Sequence, residues 1–184
     1  PRGRLYHTPL SGVGDRAPLR LTTTGPDKTY PGASMITASF TPDIVACNLA
    51  ATSKKHLLQT LSNLAAAHAG LCERTLLSAI IKREKLGSTG IGGGMALPHA
   101  VIETPARPVA MLATLQTAID FDSPDDIPVD VVALVLGTAD DSNGYLSMVN
   151  KASRALHHGH ARLRDAGSEA DILATLGDLQ DAAA

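Results

Sequence analysis

The segment between positions 83 and 100 combines residue types that could handle a phosphate group. Five glycines lie between positions 87 and 94, and His99 follows directly after Pro98. Because glycine has no Cβ, such a segment can adopt φ > 0 and approach another group closely. Successive backbone N–H groups in such a turn form a concave anion site. The segment therefore predicts an anion-binding loop next to an imidazole.

His99 is the candidate nucleophile. With an ordinary pKa of about 6.5, imidazole is largely neutral at pH 7 and carries a nucleophilic nitrogen. Such a nitrogen can attack an activated phosphoryl group and form a phosphohistidine. Pro98 restricts its own φ and favours an extended Leu97, which helps to position the histidine. Considered without its surroundings, a loop histidine with no chemistry is the alternative interpretation.

Arg83 is the second candidate, at the end of a predicted helix that leads into the glycine-rich segment. A guanidinium is always charged and its geometry suits phosphate oxygens. The arginine could return from the helix towards the loop and reach the histidine. The alternative is an exposed helix-end arginine that is favoured by the helix dipole.

The rest of the predicted phosphate-binding loop consists of small residues. Ser88 and Thr89 could donate their hydroxyls to phosphate oxygens, or they could cap a turn. Gly90, Gly92 and Gly94 complete the loop, mainly by setting its backbone shape. The spacing matches neither a Walker motif nor a dinucleotide-binding fingerprint, because the lysine of the first and the third glycine of the second are missing.

These residues resemble a family signature, R-E-x-x-G-S-T-G-I-G-x-G-h-A-h-P-H, in which h is apolar. It is the active-site motif of enzyme IIA domains of the mannitol/fructose/nitrogen class (type 2), from the bacterial phosphoenolpyruvate-dependent phosphotransferase system. Residues 83–90 are most similar to the nitrogen-regulatory type, and a looser resemblance covers about residues 36–178. The resemblance implies a single α/β domain with a central mixed β-sheet flanked by helices. It also implies that His99 accepts the phosphoryl group and that Arg83 lies near it.

The sequence departs from the family pattern at two positions. Gly93 stands where most relatives carry an asparagine or another polar residue, so a possible hydrogen bond is missing. Relatives also carry a second histidine near the start of the helix after the last strand. The best apolar match places Tyr145 at that position, and a one-residue slip would place Gly144 there. A phenol can donate a hydrogen bond to phosphate but does not become cationic, so the efficiency of transfer is in question.

The resemblance implies protein partners rather than cofactors. We expect an HPr-like phosphocarrier as the donor, and either regulatory target proteins or a sugar permease downstream, with regulation favoured because no permease domain is present. One competing hypothesis is a binding module of the same fold that transfers phosphate poorly. Another is a sugar-transport IIA component of the fructose or mannitol type. No metal or organic cofactor is implied.

Composition and charge exclude several other classes of protein. The 184 residues are enough for one domain with a proper core and a tail. A net charge of −2 gives no electrostatic case for nucleic acid binding. No apolar run has the length of a membrane span. The cysteines, Cys47 and Cys72, form no disulfide framework, so we expect small buried thiols and a cytoplasmic protein.

Periodicity divides the chain into a leader and a domain. Residues 1–34 are rich in Pro, Gly, Thr and Arg, which predicts a poorly ordered leader, and the domain is expected at 35–184. Apolar spacing predicts a helix with Leu57, Leu58, Leu61, Leu64 and Ala65 on one face. The predicted helices lie at about 53–68, 73–85, 144–158 and 168–177, with a short additional one near 160–166. Strands are predicted at 108–117 and 129–137, and a short segment around residues 44–46 is expected near the start of the domain.

Two polar clusters could suggest a metal site. His157, His158 and His160 are more simply interpreted as a solvated helix end, where imidazolium suits the dipole. The second cluster consists of aspartates in a proline-containing turn, where this residue type commonly stabilises the turn itself. Its members are Asp120, Asp122, Asp125 and Asp126. We therefore predict no metal site.

Overall fold

The computed structural model describes residues 39–103 and 107–182 of the chain. The predicted leader, residues 1–34, lies outside these described residues. The strands are β1 (Ile44–Leu49), β2 (Gly90–Gly92), β3 (Met95–Ala96), β4 (His99–Ile102), β5 (Val109–Ile119) and β6 (Val129–Thr138). The helices are α1 (Lys54–Ala69), α2 (Glu73–Glu84), α3 (Ser142–Arg164) and α4 (Glu169–Asp181), and a short 3-10 turn, Ala139–Asp141, precedes α3.

The six strands form one mixed sheet in the order β1-β5-β6-β3-β2, and β4 pairs with β6 beyond the end of β3. Strands β3 and β4 both run parallel to β6, whereas β5 and β6 are antiparallel. The α/β class and the mixed sheet that the resemblance implied are therefore confirmed. Strand β6 is largely apolar, with Asp130 as its one charged residue, as expected for a strand that is buried on both faces of the sheet.

Side chains alternate between two cores, one on each face of β6. Leu134 and Leu136 pack with apolar residues of α1 and α2, whereas Ala133 and Val135 pack with those of α3 and α4. This alternation is the two-residue period of a strand. The sheet is thus covered by helices on both faces, and its edge at β4 lies against the end of α2 that carries Arg83.

The predicted helices agree with the structure within two residues at their ends, except that α3 continues past residue 158 and α4 extends to Asp181 instead of ending near 177. Ser53 caps α1 with its side chain, which accepts a hydrogen bond from the His56 N–H, and Gly70 ends the helix in a left-handed conformation. The prediction of a separate helix at 160–166 was wrong, because α3 continues through Gly159 to Arg164. Gly159 is buried, and a Cβ there would lie 2.7 Å from Leu179 Cδ1, so it allows α4 to pack closely on α3. Tertiary packing here outweighs the poor helix propensity of glycine.

Other sequence predictions require correction. The short strands β2, β3 and β4 were not predicted. Leu64, expected on the buried face of α1, is 37% exposed. Cys72 was expected to be buried but is exposed, because it is the N-cap residue of α2, and Cys47 is only partly buried. Among the described residues, no helix combines the length and apolarity needed to cross a membrane.

Candidate functional site

His99 is the first residue of β4, where it pairs with Val135 of β6. Its Nδ1 lies 2.7 Å from the backbone carbonyl oxygen of Leu97. A carbonyl oxygen can only accept a hydrogen bond, so Nδ1 carries the proton and Nε2 is left with the lone pair. Pro98 lies between these two groups and restricts the backbone that joins them. The local chain thus selects the tautomer in which Nε2 carries the lone pair.

The side chain of Arg83 contacts His99 Nε2 directly. Its Nε donates to His99 Nε2 at 3.0 Å, and its Nη1 donates to the Gly87 carbonyl oxygen at 3.1 Å. Arg83 is therefore not an exposed helix-end arginine, the alternative that the sequence left open. It spans the gap between the last turn of α2 and the first strand residue of β4.

The pKa of His99 is lowered from its ordinary value. Burial is the main cause because it disfavours the charged imidazolium, and the positive charge of Arg83 acts in the same direction. The hydrogen bond to Leu97 and the negative charge of Glu84 oppose this shift without reversing it. A neutral imidazole at pH 7 is the form that can act as a nucleophile.

Tyr145 of α3 lies beside the imidazole. The centroids of the His99 and Tyr145 rings are 6.4 Å apart, and the ring planes are tilted by 51°. Gly137 of β6 makes room for the phenol, because a Cβ at this position would overlap the Tyr145 ring. Gly144, the alternative in a shifted alignment, instead donates its N–H to Asp141 Oδ1 at the start of α3. Burial raises the pKa of Tyr145, so its hydroxyl stays protonated at neutral pH.

The glycine-rich segment forms a tight antiparallel hairpin of β2 and β3, with Gly92, Gly93 and Gly94 at positive φ. A concave site of free backbone N–H groups was expected here, but two of these N–H groups already donate to side chains of the protein. The Gly93 N–H donates to Asp125 Oδ2 at 2.7 Å, and the Gly90 N–H donates to Ser88 Oγ at 3.2 Å. The glycines instead allow close packing, since a Cβ at Gly94 would lie 3.0 Å from His160 Nε2.

The hydroxyls of Ser88 and Thr89 also have partners within the protein. Ser88 Oγ donates to the Phe121 carbonyl oxygen at 2.9 Å and lies 3.2 Å from Lys54 Nζ. Thr89 is buried, and its hydroxyl donates to Glu84 Oε2 at 2.5 Å. The structure thus brings His99, Arg83 and Tyr145 together, and it joins Ser88 and Thr89 to neighbouring side chains of the loop.

Two residues of this region were missed from the sequence. Glu84 follows Arg83 in the signature, yet no role was assigned to it, and Lys54 begins α1. Lys54 Nζ lies 2.7 Å from Glu84 Oε1 and 3.0 Å from Asp122 Oδ2. The signature itself could have pointed to Glu84. Nothing local could have pointed to Lys54, because its partners are distant in the chain.

The clusters considered as metal sites have other roles. His160 lies about one turn before the end of α3, and its Nε2 is 2.7 Å from Asp130 Oδ1. His157 and His158 are exposed. In the turn after β5, Asp125 accepts the Gly93 N–H and Asp122 pairs with Lys54. Within residues 39–103 and 107–182, no three metal-binding side chains form one group.

Comparison with known proteins places this geometry in a family. The model of the "Phosphoenolpyruvate-dependent sugar phosphotransferase system, EIIA 2" family matches residues 38–178. A nitrogen regulatory protein of Klebsiella oxytoca is 38% identical over 123 residues, which are 65% of this chain and 76% of that protein. The nitrogen regulatory protein of Escherichia coli K12 is 34% identical over 160 residues, which are 85% of this chain and 96% of that protein.

The fold agrees with the same assignment. The crystal structure of the nitrogen regulatory protein IIA-Ntr from Neisseria meningitidis superposes with a TM-score of 0.67 at 24% identity, covering 76% of this chain and 94% of that one. The resemblance inferred from the signature is therefore confirmed. The chain belongs to the type-2 EIIA family of the phosphoenolpyruvate-dependent phosphotransferase system.

Proposed function

We propose that the protein is a phosphocarrier and regulatory component of the phosphotransferase system. It accepts a phosphoryl group on His99 from an HPr-like phosphohistidine protein and regulates partner proteins in response. The observation that carries this proposal is the polarised imidazole, with Nδ1 on the Leu97 carbonyl and Nε2 facing the Arg83 guanidinium. One ring nitrogen thus holds the proton while the other meets a cation suited to phosphate.

The transfer step balances without any further reagent. His99 Nε2 attacks phosphorus as the donor's phosphorus–nitrogen bond breaks, and the electron pair of that bond stays on the donor imidazole. The Nδ1 proton remains on His99, where the Leu97 carbonyl stabilises the positive charge that develops on the ring. Such a transfer depends mainly on positioning and on charge stabilisation.

Arg83 has two successive tasks in this proposal. In the free protein it covers Nε2 and lowers the pKa of His99, together with burial. When the donor arrives, the guanidinium moves from Nε2 to the phosphoryl oxygens, which it can bind through two N–H groups at once. Its Nη1 contact with Gly87 keeps the guanidinium near the site during this exchange.

Tyr145 and the loop residues have supporting roles. The Tyr145 hydroxyl is a neutral hydrogen-bond donor for a phosphoryl oxygen, because the raised pKa keeps it protonated. Ser88, Thr89, Gly90, Gly92 and Gly94 were predicted to bind phosphate. We propose that their main contribution is to hold the loop in its observed shape, since the Ser88 and Thr89 hydroxyls and the Gly90 N–H have protein partners.

Exposed apolar side chains support a protein as the phosphoryl donor. Leu86 is 82% exposed, Val101 48% and Leu146 57%. These residues follow closely after Arg83, His99 and Tyr145, respectively, and Val101 shares the strand face of His99 because they are two residues apart. Exposed apolar residues beside a reactive group are typical of a protein docking surface. The nitrogen regulatory relatives favour regulatory targets over a sugar permease.

Tyr145 is also the observation that favours the competing function, a binding module that transfers phosphate poorly. A phenol cannot supply the positive charge that a second histidine would. The two functions differ in whether His99 becomes labelled at a useful rate. Both use the same fold and the same docking surface.

A labelling experiment separates these functions. The protein is incubated with phosphoenolpyruvate and the two upstream transfer proteins, and intact mass spectrometry detects an acid-labile phosphoryl group. We expect one group on the wild type, none on His99→Ala, and one on the control His158→Ala, an exposed histidine of α3. Absence of label on the wild type, beside a relative that is labelled, leaves only the binding module. Label that persists in His99→Ala contradicts the assignment of the nucleophile.

A further inference from the structure

A buried ion pair lies directly behind Arg83. The Glu84 side chain is 9% exposed, and three groups contact its carboxylate. Oε1 contacts Lys54 Nζ at 2.7 Å and accepts the Thr89 N–H at 2.9 Å, while Oε2 accepts the Thr89 hydroxyl at 2.5 Å. These hydrogen bonds and the charge of Lys54 outweigh burial, which alone would raise the pKa of Glu84, and they leave that pKa lowered. Glu84 is therefore an ionised carboxylate at neutral pH.

Lys54 joins four parts of the chain at this point. Besides Glu84, its ammonium donates to the Phe121 carbonyl oxygen at 2.9 Å and to Ser88 Oγ at 3.2 Å, and it pairs with Asp122 at 3.0 Å. It also lies 4.6 Å from the centroid of the Phe121 ring, a cation–π contact. Burial alone would lower the pKa of Lys54, but Glu84 and Asp122 raise it overall. Lys54 thus ties the start of α1 to the end of α2, the loop and the turn after β5.

The contact between Arg83 and Gly87 lies in a segment that the side chain of Glu84 closes. The backbone of Arg83 adjoins Glu84 in the last turn of α2, and its Nη1 contacts Gly87, which lies between Glu84 and Thr89. The Glu84 carboxylate accepts two hydrogen bonds from Thr89. These bonds connect the two ends of the segment 84–89 and constrain it as a loop. That loop carries the carbonyl that holds the guanidinium.

The ion pair also affects the electrostatic environment of His99. The negative charge of Glu84 acts on His99, where it favours the protonated imidazole. An uncompensated carboxylate that acts on His99 would repel an incoming phosphoryl group and oppose the effect of Arg83. Lys54 supplies a compensating positive charge 2.7 Å from Glu84 Oε1.

We propose that Lys54 and Glu84 are positioning residues for phosphoryl acceptance. Glu84 holds the loop that keeps Arg83 on His99, and Lys54 cancels the charge of Glu84 so that it does not oppose the phosphoryl group. This inference rests on the proposed function, in which His99 accepts a phosphoryl group. It adds to that function two residues that do not themselves touch the reacting atoms.

The kinetic test uses Lys54→Met, with Lys55→Met as the control, since Lys55 is the neighbouring exposed lysine of α1. We expect Lys54→Met to lower kcat for acceptance from the HPr-like donor about 10- to 100-fold, with a smaller change in KM, because misplaced catalytic groups slow chemistry on this scale. Adding Glu84→Gln removes the uncompensated charge, so the double variant should recover part of the rate but stay below the wild type. The conservative variant Lys54→Arg should keep most of the wild-type rate.

The second measurement needs no phosphoryl transfer. An NMR titration of the His99 ring protons in the unphosphorylated protein should show a higher His99 pKa in Lys54→Met than in the wild type. Lys55→Met should leave the His99 pKa unchanged. Both consequences of the change, an uncompensated Glu84 and a displaced Arg83, act in that direction. A merely structural lysine would leave the titration of a folded variant unchanged.

The outcomes separate this inference from the proposed function. If the wild type is not labelled, the proposed function fails, and the titration still decides whether Lys54 positions the site. If the wild type is labelled but Lys54→Met retains both its kcat and its His99 pKa, the positioning role is overturned. Should Lys54→Met fail to fold, the double variant carries the test, since it leaves no unpaired charge. A double variant as fast as the wild type would also overturn the inference.

Discussion

Arg83 Nε lies 3.0 Å from His99 Nε2, so the guanidinium occupies the position where a phosphoryl group would bond to the imidazole. The same arginine is held at its other end by the Gly87 carbonyl oxygen. The reactive nitrogen is thus covered by the cation that would later bind the phosphoryl oxygens. Acceptance of a phosphoryl group requires this contact to exchange, and the following experiments test its consequences.

Arg83→Met should reduce the rate of phosphoryl acceptance by about 100-fold, the usual effect of removing one charge-stabilising donor from a site. It should also raise the pKa of His99, because the positive charge of Arg83 contributes to lowering it. Single-turnover labelling and an NMR titration measure the two effects. Lys82→Met, an exposed lysine of the same helix, is the matched control. A rate equal to that of the wild type would show that the arginine is not used.

The pH dependence of labelling follows from the lowered pKa of His99. Acceptance needs the neutral imidazole, which is the deprotonated form. Because the folded pKa lies below the ordinary value of about 6.5, the midpoint of the fall in rate on acidification should lie below pH 6.5. Single-turnover rates at a series of pH values, at saturating donor, provide the measurement. A midpoint at or above pH 6.5 contradicts the buried, arginine-covered imidazole.

Tyr145→Phe should slow acceptance about three- to tenfold, which corresponds to the loss of one hydrogen bond of ordinary strength. The ring remains in place against Gly137, so the fold should be unchanged. The pKa of His99 should also be unchanged, because a protonated phenol carries no charge. Unaltered transfer in Tyr145→Phe would mean that the hydroxyl does not contact the phosphoryl group.

Gly137→Ala should lower the free energy of unfolding by about 1–3 kcal/mol, as expected for overpacking. The added Cβ would overlap the Tyr145 ring, which cannot move away without shifting α3. Gly177→Ala is the matched control, since nothing lies within 4 Å of its added Cβ in α4. That change should instead stabilise the protein by about 0.5–1 kcal/mol. Denaturant unfolding of both variants checks the pair, and equal stabilities would contradict the packing described for Tyr145.

The Lys54–Glu84 ion pair predicts a pH-dependent contribution to stability. The folded pKa of Glu84 is lowered, so its contribution is fully present above the unfolded value of about 4.3 and is lost as the pH falls through the folded pKa. The stability difference between the wild type and Glu84→Gln should therefore shrink as the pH falls below about 4.3. Denaturant unfolding at several pH values measures it. A stability difference that stays constant as the pH falls would show that the ion pair does not lower the pKa of Glu84.

Much of the frame could be predicted from the sequence because its signals are local. Leucine spacing and Ser53 and Gly70 at the ends of α1 define that helix within a residue. The apolar run of β6 likewise identifies a buried strand. The proximity of Arg83 and His99 was implied by the family signature, whereas the residues alone left an exposed helix-end arginine as an alternative.

Other features depend on contacts between distant parts of the chain. The glycines at 90, 92 and 94 show no strand pattern, yet they form a hairpin because Met95 and Ala96 pair with β6. Lys54 meets Asp122 across 68 positions of sequence, a contact that no local pattern encodes. Glu84 was visible within the signature, but its role appears only when Thr89 folds back onto it.

The most direct test of the central claim is to locate phosphorus on the imidazole of the labelled protein. Nitrogen-15 and phosphorus-31 NMR of the phosphorylated protein, with histidine-labelled nitrogen, distinguishes the two ring atoms. The expected result is a single phosphohistidine at His99 with phosphorus bonded to Nε2 and the proton retained on Nδ1, as the Leu97 and Arg83 contacts require. Phosphorus on Nδ1, or on any residue other than His99, would contradict it.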